Sequence, residues 1–173
     1  MENYICINGK KAELTEEQLK ALGIELPKPS PFERVCNNAN DFYEYYFINS
    51  YGVVTSAVDR GYSIYSAVDD WRYNAANYCT DKTILEQRAL HETLNRLLWR
   101  YSMEHDGDKI NWSDIKQRKY FIYYSRECSE YRCEFNGWKQ TFSTVYFYNS
   151  DIAEAAIKKV VEPFMVTHPE FKW

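Results

Sequence analysis

An α+β fold, antiparallel sheet with helices on one face, is what this sequence predicts, and three observations predict it. Residues 42–48 and 119–125 are dense in Tyr, Phe and Ile, the residue types of strands. Each run is followed by a turn signal and a second β-type run. Each half then ends on a polar cap and a stripe of apolar residues at steps of three and four, the mark of an amphipathic helix. A chain of 173 residues builds such a core without metal or disulfide staples.

Residues 4–14 read as a small hairpin, because Asn8-Gly9 tolerates the positive φ angles of a type I′ turn. Thr15 with Gln18 has capping-box form, Leu19 and Leu22 give the next helix an apolar edge, and Gly23 supplies its left-handed cap. Pro27, Pro29 and Pro31 cannot continue a helix. The expected organisation is therefore a hairpin-helix arm over 1–26, a Pro-rich linker over 27–33 and a main α+β domain over 34–173. The arm is too short to fold alone, so it is expected to dock on the main domain.

In the main domain, 42–48 and 53–58 form a hairpin about a turn at Asn49–Gly52, and a polar, Tyr-containing loop runs over 59–70. Residues 71–78 read as a short strand. Thr80 or Asp81 caps a long helix to about Met103, with Leu90, Leu94, Leu97, Leu98 and Tyr101 as its stripe and His105-Asp106-Gly107 as its end. Strands at 119–125 and 131–135 follow, then the Asn136-Gly137 turn and a strand at 145–148. Asn149 or Ser150 caps a helix to about Glu162, where Pro163 is expected to stop it. Tyr46-Phe47-Ile48 matches Tyr120-Phe121-Ile122, and each half has hairpin, strand, cap and helix. This suggests a degenerate ββ(β)α duplication over about 41–105 and 117–162. The alternative is that any ββ–β–α arrangement looks alike at this level.

Net charge is −4 and the isoelectric point about 5.5. A general duplex-DNA binder would be basic, and a DNA mimic far more acidic. The first residues show no basic region leading an apolar run, and no stretch approaches 18 apolar residues, so neither a secretion signal nor a membrane span is expected. The 5 cysteines, Cys6, Cys36, Cys79, Cys128 and Cys133, read as free thiols of a reducing cytoplasm.

No enzymatic activity is expected. His91, His105 and His168 lie in no nucleophile motif, and 6 glycines are too few for a phosphate cradle. Cys128 and Cys133 lack the second ligand pair that zinc needs, and Asp106-Gly-Asp108 lacks the closing ligands of a calcium loop. No cofactor and no metal is expected. Binding is the better-supported class. Residues 116–139 interleave Lys116, Arg118, Lys119, Arg126, Arg132 and Lys139 with Tyr123 and other rings, the composition of a single-strand or RNA groove and equally of a solvated sheet face. The 16 tyrosines exceed what the core needs and suit protein interfaces. Tyr62, Tyr65 and Tyr73 are flanked by Asp59, Asp69, Asp70, Glu86 and Glu92, a candidate acidic, partner-binding rim. Trp99 projects about 180° from Leu90 on the helical wheel. It is expected to pack under another element or else to anchor a partner.

Ser30-Pro-Phe-Glu-Arg34, the aromatic run Tyr45–Val53, Trp71–Tyr78 leading into the long helix, Leu94-Asn-Arg-Leu97 and Val145-Tyr-Phe together resemble small accessory proteins of phages and mobile elements of Firmicutes. The resemblance covers about residues 30–162, and its shared pattern is structural, not catalytic. It implies a binding protein of the bacterial host cytoplasm that disables an immune effector, and it does not identify that effector; the leading reading is an anti-CRISPR acting on the Cas9 nuclease. The rival reading is a nucleic-acid-binding accessory protein that uses residues 116–139.

Overall fold

The computed structural model describes residues 4–7, 10–23, 30–34, 43–59 and 67–173. The Asn8-Gly9 turn, Pro27, Pro29, Cys36 and the part of the tyrosine loop that carries Tyr62 and Tyr65 lie outside the described residues. The chain divides into two units, Met1–Glu33 and Arg34–Trp173.

In the first unit β1 (Tyr4–Ile7) pairs antiparallel with β2 (Lys10–Glu13), and α1 (Glu16–Ala21) follows. Thr15 Oγ1 accepts from the Gln18 amide at 3.3 Å while Gln18 Oε1 accepts from the Thr15 amide at 2.9 Å, a reciprocal capping box. Leu19 is buried and Leu22 is exposed. Ser30 starts a turn, its carbonyl accepting from the Glu33 amide at 3.0 Å.

The second unit carries the main core. β3 (Tyr43–Ile48) and β4 (Val54–Asp59) form an antiparallel hairpin. Where the sequence suggested loop and then strand, the chain forms the helix α2 (Ala67–Asn74). Trp71 and Tyr73 are β-type residues, but Asp69 and Asp70 occupy the first helical turn, where the helix dipole favours carboxylates. Asp69 and Arg72 also bond to β3 only from one helical face, so tertiary contacts override local propensity. The pairing expected of 71–78 shrinks to one bridge, Cys79 on Tyr46. Asn77 prolongs it, its carboxamide exchanging two 2.8 Å hydrogen bonds with the Ile48 backbone.

Asp81 caps α3 (Lys82–Glu104) by accepting from the Thr83 and Ile84 amides. After α3, Asp106 turns left-handed at φ 65° into a short 3-10 turn, Gly107–Lys109. β5 (Lys119–Ser125), β6 (Glu130–Asn136) and β7 (Tyr146–Phe147) form an antiparallel sheet in the order β6-β5-β7. Leu94 and Leu98 from α3, Phe147, and Ala153 and Ala156 from α4 (Ser150–Ala156) make the core, with Tyr120, Ile122, Tyr131 and Cys133 packed against it from one face of the sheet. Ser102 interrupts the apolar stripe, and its hydroxyl donates to the Tyr146 carbonyl at 2.6 Å, tying α3 to β7. In the first half the hairpin is followed by α2, the single Cys79–Tyr46 bridge and the capped α3, whereas in the second it is followed directly by β7, which pairs with β5, and the capped α4.

Pro163 does not end the last helix. α4 passes into a π-helical turn, Ile157–Val161, and continues as α5 (Glu162–Thr167) with Pro163 near its start. A proline lacks the amide that an α-helix needs four residues on and crowds the carbonyl there. The π turn shifts the pattern, the Glu162 amide bonding to the Ile157 carbonyl, so Pro163 occupies a first-turn position where no amide is required. Among the described residues no helix is long and apolar enough to cross a membrane.

Candidate functional site

Two of the acidic residues singled out in the first half, Asp59 and Asp69, point inward. Asp59 is 0% exposed and holds Arg34 through a fork, Nε to Oδ2 at 2.6 Å and Nη2 to Oδ1 at 3.0 Å. Arg34 also pairs with Asp70, and the hydrogen bond that its guanidinium donates to Asp59 leads in raising the guanidinium above its ordinary pKa. Asp69 is buried and accepts from the Tyr45 hydroxyl at 2.5 Å. Arg72 donates to the same hydroxyl at 2.7 Å and lies 3.5 Å over the Phe47 ring. Burial first, and then the Asp69 acceptor, push the Tyr45 hydroxyl up to about 12.

Asp59 and Asp69 are therefore parts of a buried clamp and cannot meet a partner. The sequence missed this because carboxylates are almost never fully buried unless paired, and Arg34, 25 residues away from Asp59, is not an obvious partner. Asp70, Glu86 and Glu92 reach the surface but are engaged, with Arg34, with Lys82 at 3.1 Å and with Arg88 at 2.8 Å. Tyr73 is partly exposed and sits edge-on to Tyr78. Among the described residues, the expected rim is thus mostly neutralised by its own chain.

The basic segment divides in the same way. Lys119 is 0% exposed, its ammonium donating to the Asp114 carbonyl at 2.5 Å and the Gly137 carbonyl at 3.2 Å, 5.4 Å over the Trp112 ring. It cannot contact a phosphate. It faces inward because the 107–117 segment covers that side of β5, with Trp112 edge-on to Tyr146. Arg132 is paired with Glu130, which raises its pKa, and Tyr123 lies half-buried opposite Arg132. Arg118 lies 4.4 Å over the Phe135 ring. Lys116 and Arg126 are exposed and have no ion-pair partner among the described residues.

Another exposed aromatic surface lies on α3 and the loop after β6. Trp99 is 59% exposed on the face of α3 turned away from Leu94 and Leu98. Met103, one turn on, shares its face. With Trp112, Ile110 and Val145 they line an open cleft of about 430 Å³. The 137–144 loop borders it, held by Asn95 Nδ2 donating to the Ser143 carbonyl at 3.0 Å. The same loop carries Trp138, 82% exposed, and Phe142, 95% exposed. A signal for this surface exists in the sequence: Trp138 and Phe142 stand in a polar loop with no apolar alternation to bury them.

No protein-family model, curated protein or solved structure matches this chain.

Proposed function

We propose that this chain is a non-enzymatic binding protein that docks on and disables a bacterial immune effector, an anti-CRISPR-type inhibitor of a Cas9 nuclease in the host cytoplasm. The observation that carries the binding part is the cleft of Trp99, Met103 and Trp112 with Trp138 and Phe142 on the adjacent loop. Exposed tryptophans beside an open cleft are the usual anchors of protein interfaces, and a handful of such residues carries most of the binding energy. The sequence resemblance supplies the target class. A net charge of −4 suits approach to a protein with a positively charged nucleic-acid channel.

A cleavage assay tests the reading. Purified protein added to Cas9, guide RNA and target DNA should reduce cleavage in proportion to the protein added. Full cleavage at a large molar excess would contradict it. The rival, nucleic-acid binding through the exposed cations Lys116, Arg118 and Arg126, predicts instead that the protein retains labelled single strands, with a steep dependence on salt.

A further inference from the structure

A second cleft, of about 350 Å³, lies between the C-terminal half of α3 and the π turn and α5. Its apolar lining includes Leu97, Tyr101, Val160, Pro163 and Phe164. Its charged lining is Arg100 and Lys159 against Glu104.

Among the Lys and Arg residues of α3, Arg100 stands apart. Each of the other basic residues on α3 is paired: Lys82 with Glu86, and Arg88 and Arg96 with Glu92. Arg100 and Lys159 are exposed and have neither an ion-pair nor a hydrogen-bond partner among the described residues, although Glu104 lies one helical turn beyond Arg100. Lys159 and Val160 belong to the π turn. Such turns are rare and frequent at functional sites, since they re-aim side chains at a cost in helix stability.

We infer that this cleft binds an acidic–apolar segment of a partner protein, the carboxylate between Arg100 and Lys159 and the neighbouring apolar side chain on the Leu97–Phe164 floor. Charge complementarity selects the anion. The apolar floor selects a peptide, because a bare phosphate would leave it wet. The lining carries only one net positive charge once Glu104 is counted, which is too little to hold a polyanion against salt. The site stands independently of the Trp99 cleft, since adjacent residues on a helix project about 100° apart.

The test is a nuclear magnetic resonance titration of the full ¹⁵N-labelled chain with a nonapeptide pool of Glu, Leu and Phe. The same pool with Lys in place of Glu, and a mixed-sequence single-stranded DNA, serve as controls. Saturable shifts should concentrate at 97–104 and 159–168 with the acidic pool alone. Arg100→Glu with Lys159→Glu should weaken that binding about tenfold or more. Trp99→Ala should leave it unchanged, so loss of the effector-inhibition reading would not remove this site. Arg100→Gln alone, with an unchanged melting temperature, guards against misfolding and should weaken binding in the same direction. An equal response to the Lys pool, a stronger response to DNA, shifts elsewhere, no saturation, or indifference to both variants would overturn the inference.

Discussion

Asp59 and Lys119 are both fully buried charges, and each is kept by a partner that residue type alone does not announce. For Asp59 it is the guanidinium fork of Arg34; for Lys119 it is a pair of backbone carbonyls and the face of Trp112. Removing Asp59 leaves the partly exposed Arg34 with Asp70 alone, so Asp59→Ala should cost about 1–3 kcal/mol in urea denaturation. A loss under about 1 kcal/mol would show that the pair contributes little. Asp69→Lys with Asp70→Lys should unfold the chain by circular dichroism, because Asp69 lies in the Tyr45–Arg72 network. Tyr45 gives the pH dependence its sign. Its hydroxyl holds the proton to about 12 in the folded chain, whereas an unfolded tyrosine loses it near 10. Its contribution is complete below pH 10 and is lost as pH rises toward 12. Tyr45→Phe should flatten that part of the stability–pH curve, and a curve of unchanged slope would refute the assignment. The thiols follow burial. Cys79 is buried and Cys133 half-buried, both pushed upward by desolvation, while Cys128 is exposed. Native alkylation should therefore mark Cys128 first and Cys79 only after unfolding.

At the level of elements, α3 and α4 are legible in the sequence because their caps and stripes agree: Asp81 before Leu94 and Leu98, and Asn149 before Ala156. The β3–β4 and β5–β6 hairpins are legible too, since their β-type residues fall in runs bounded by turn signals. α2 is not. Its residue types favour strand, and what makes it a helix is the reach of Asp69 and Arg72 to a tyrosine on β3, a contact invisible to local pattern. The continuation past Pro163 is hidden too, because a proline reads as a stop unless a π turn has already displaced the hydrogen bond it cannot make. The turn after β6 depends on close approach. A Cβ on Gly137 would meet the Ile115 carbonyl oxygen at 2.6 Å, and the Gly137 carbonyl itself receives Lys119. Gly137→Ala should cost about 1–3 kcal/mol in thermal or urea unfolding. A neutral result would mean that the 112–117 segment shifts freely.

For the whole molecule, the decisive feature is where polar and aromatic surface end up. The sequence shows a surplus of rings and a mild negative charge, but it cannot show that Asp59 and Asp69 are spent inside the fold while Trp99 is left outside it. The 59% exposure of Trp99 is set by the packing around α3 and not by the helix alone. We propose that this surface, and not the basic segment, engages the target. The measurement that tests it most directly compares Cas9 inhibition by Trp99→Ala and by the triple variant Lys116→Ala, Arg118→Ala, Arg126→Ala, each checked for native circular dichroism and titrated at low and moderate salt. Loss of an interface anchor costs about 2 kcal/mol or more, so Trp99→Ala should weaken inhibition roughly thirtyfold while the triple variant stays near the parent at both salts. A potent Trp99→Ala beside an inactive triple variant, with a salt slope reduced by about 1 per lost cation, would contradict the account and assign the function to nucleic-acid contact.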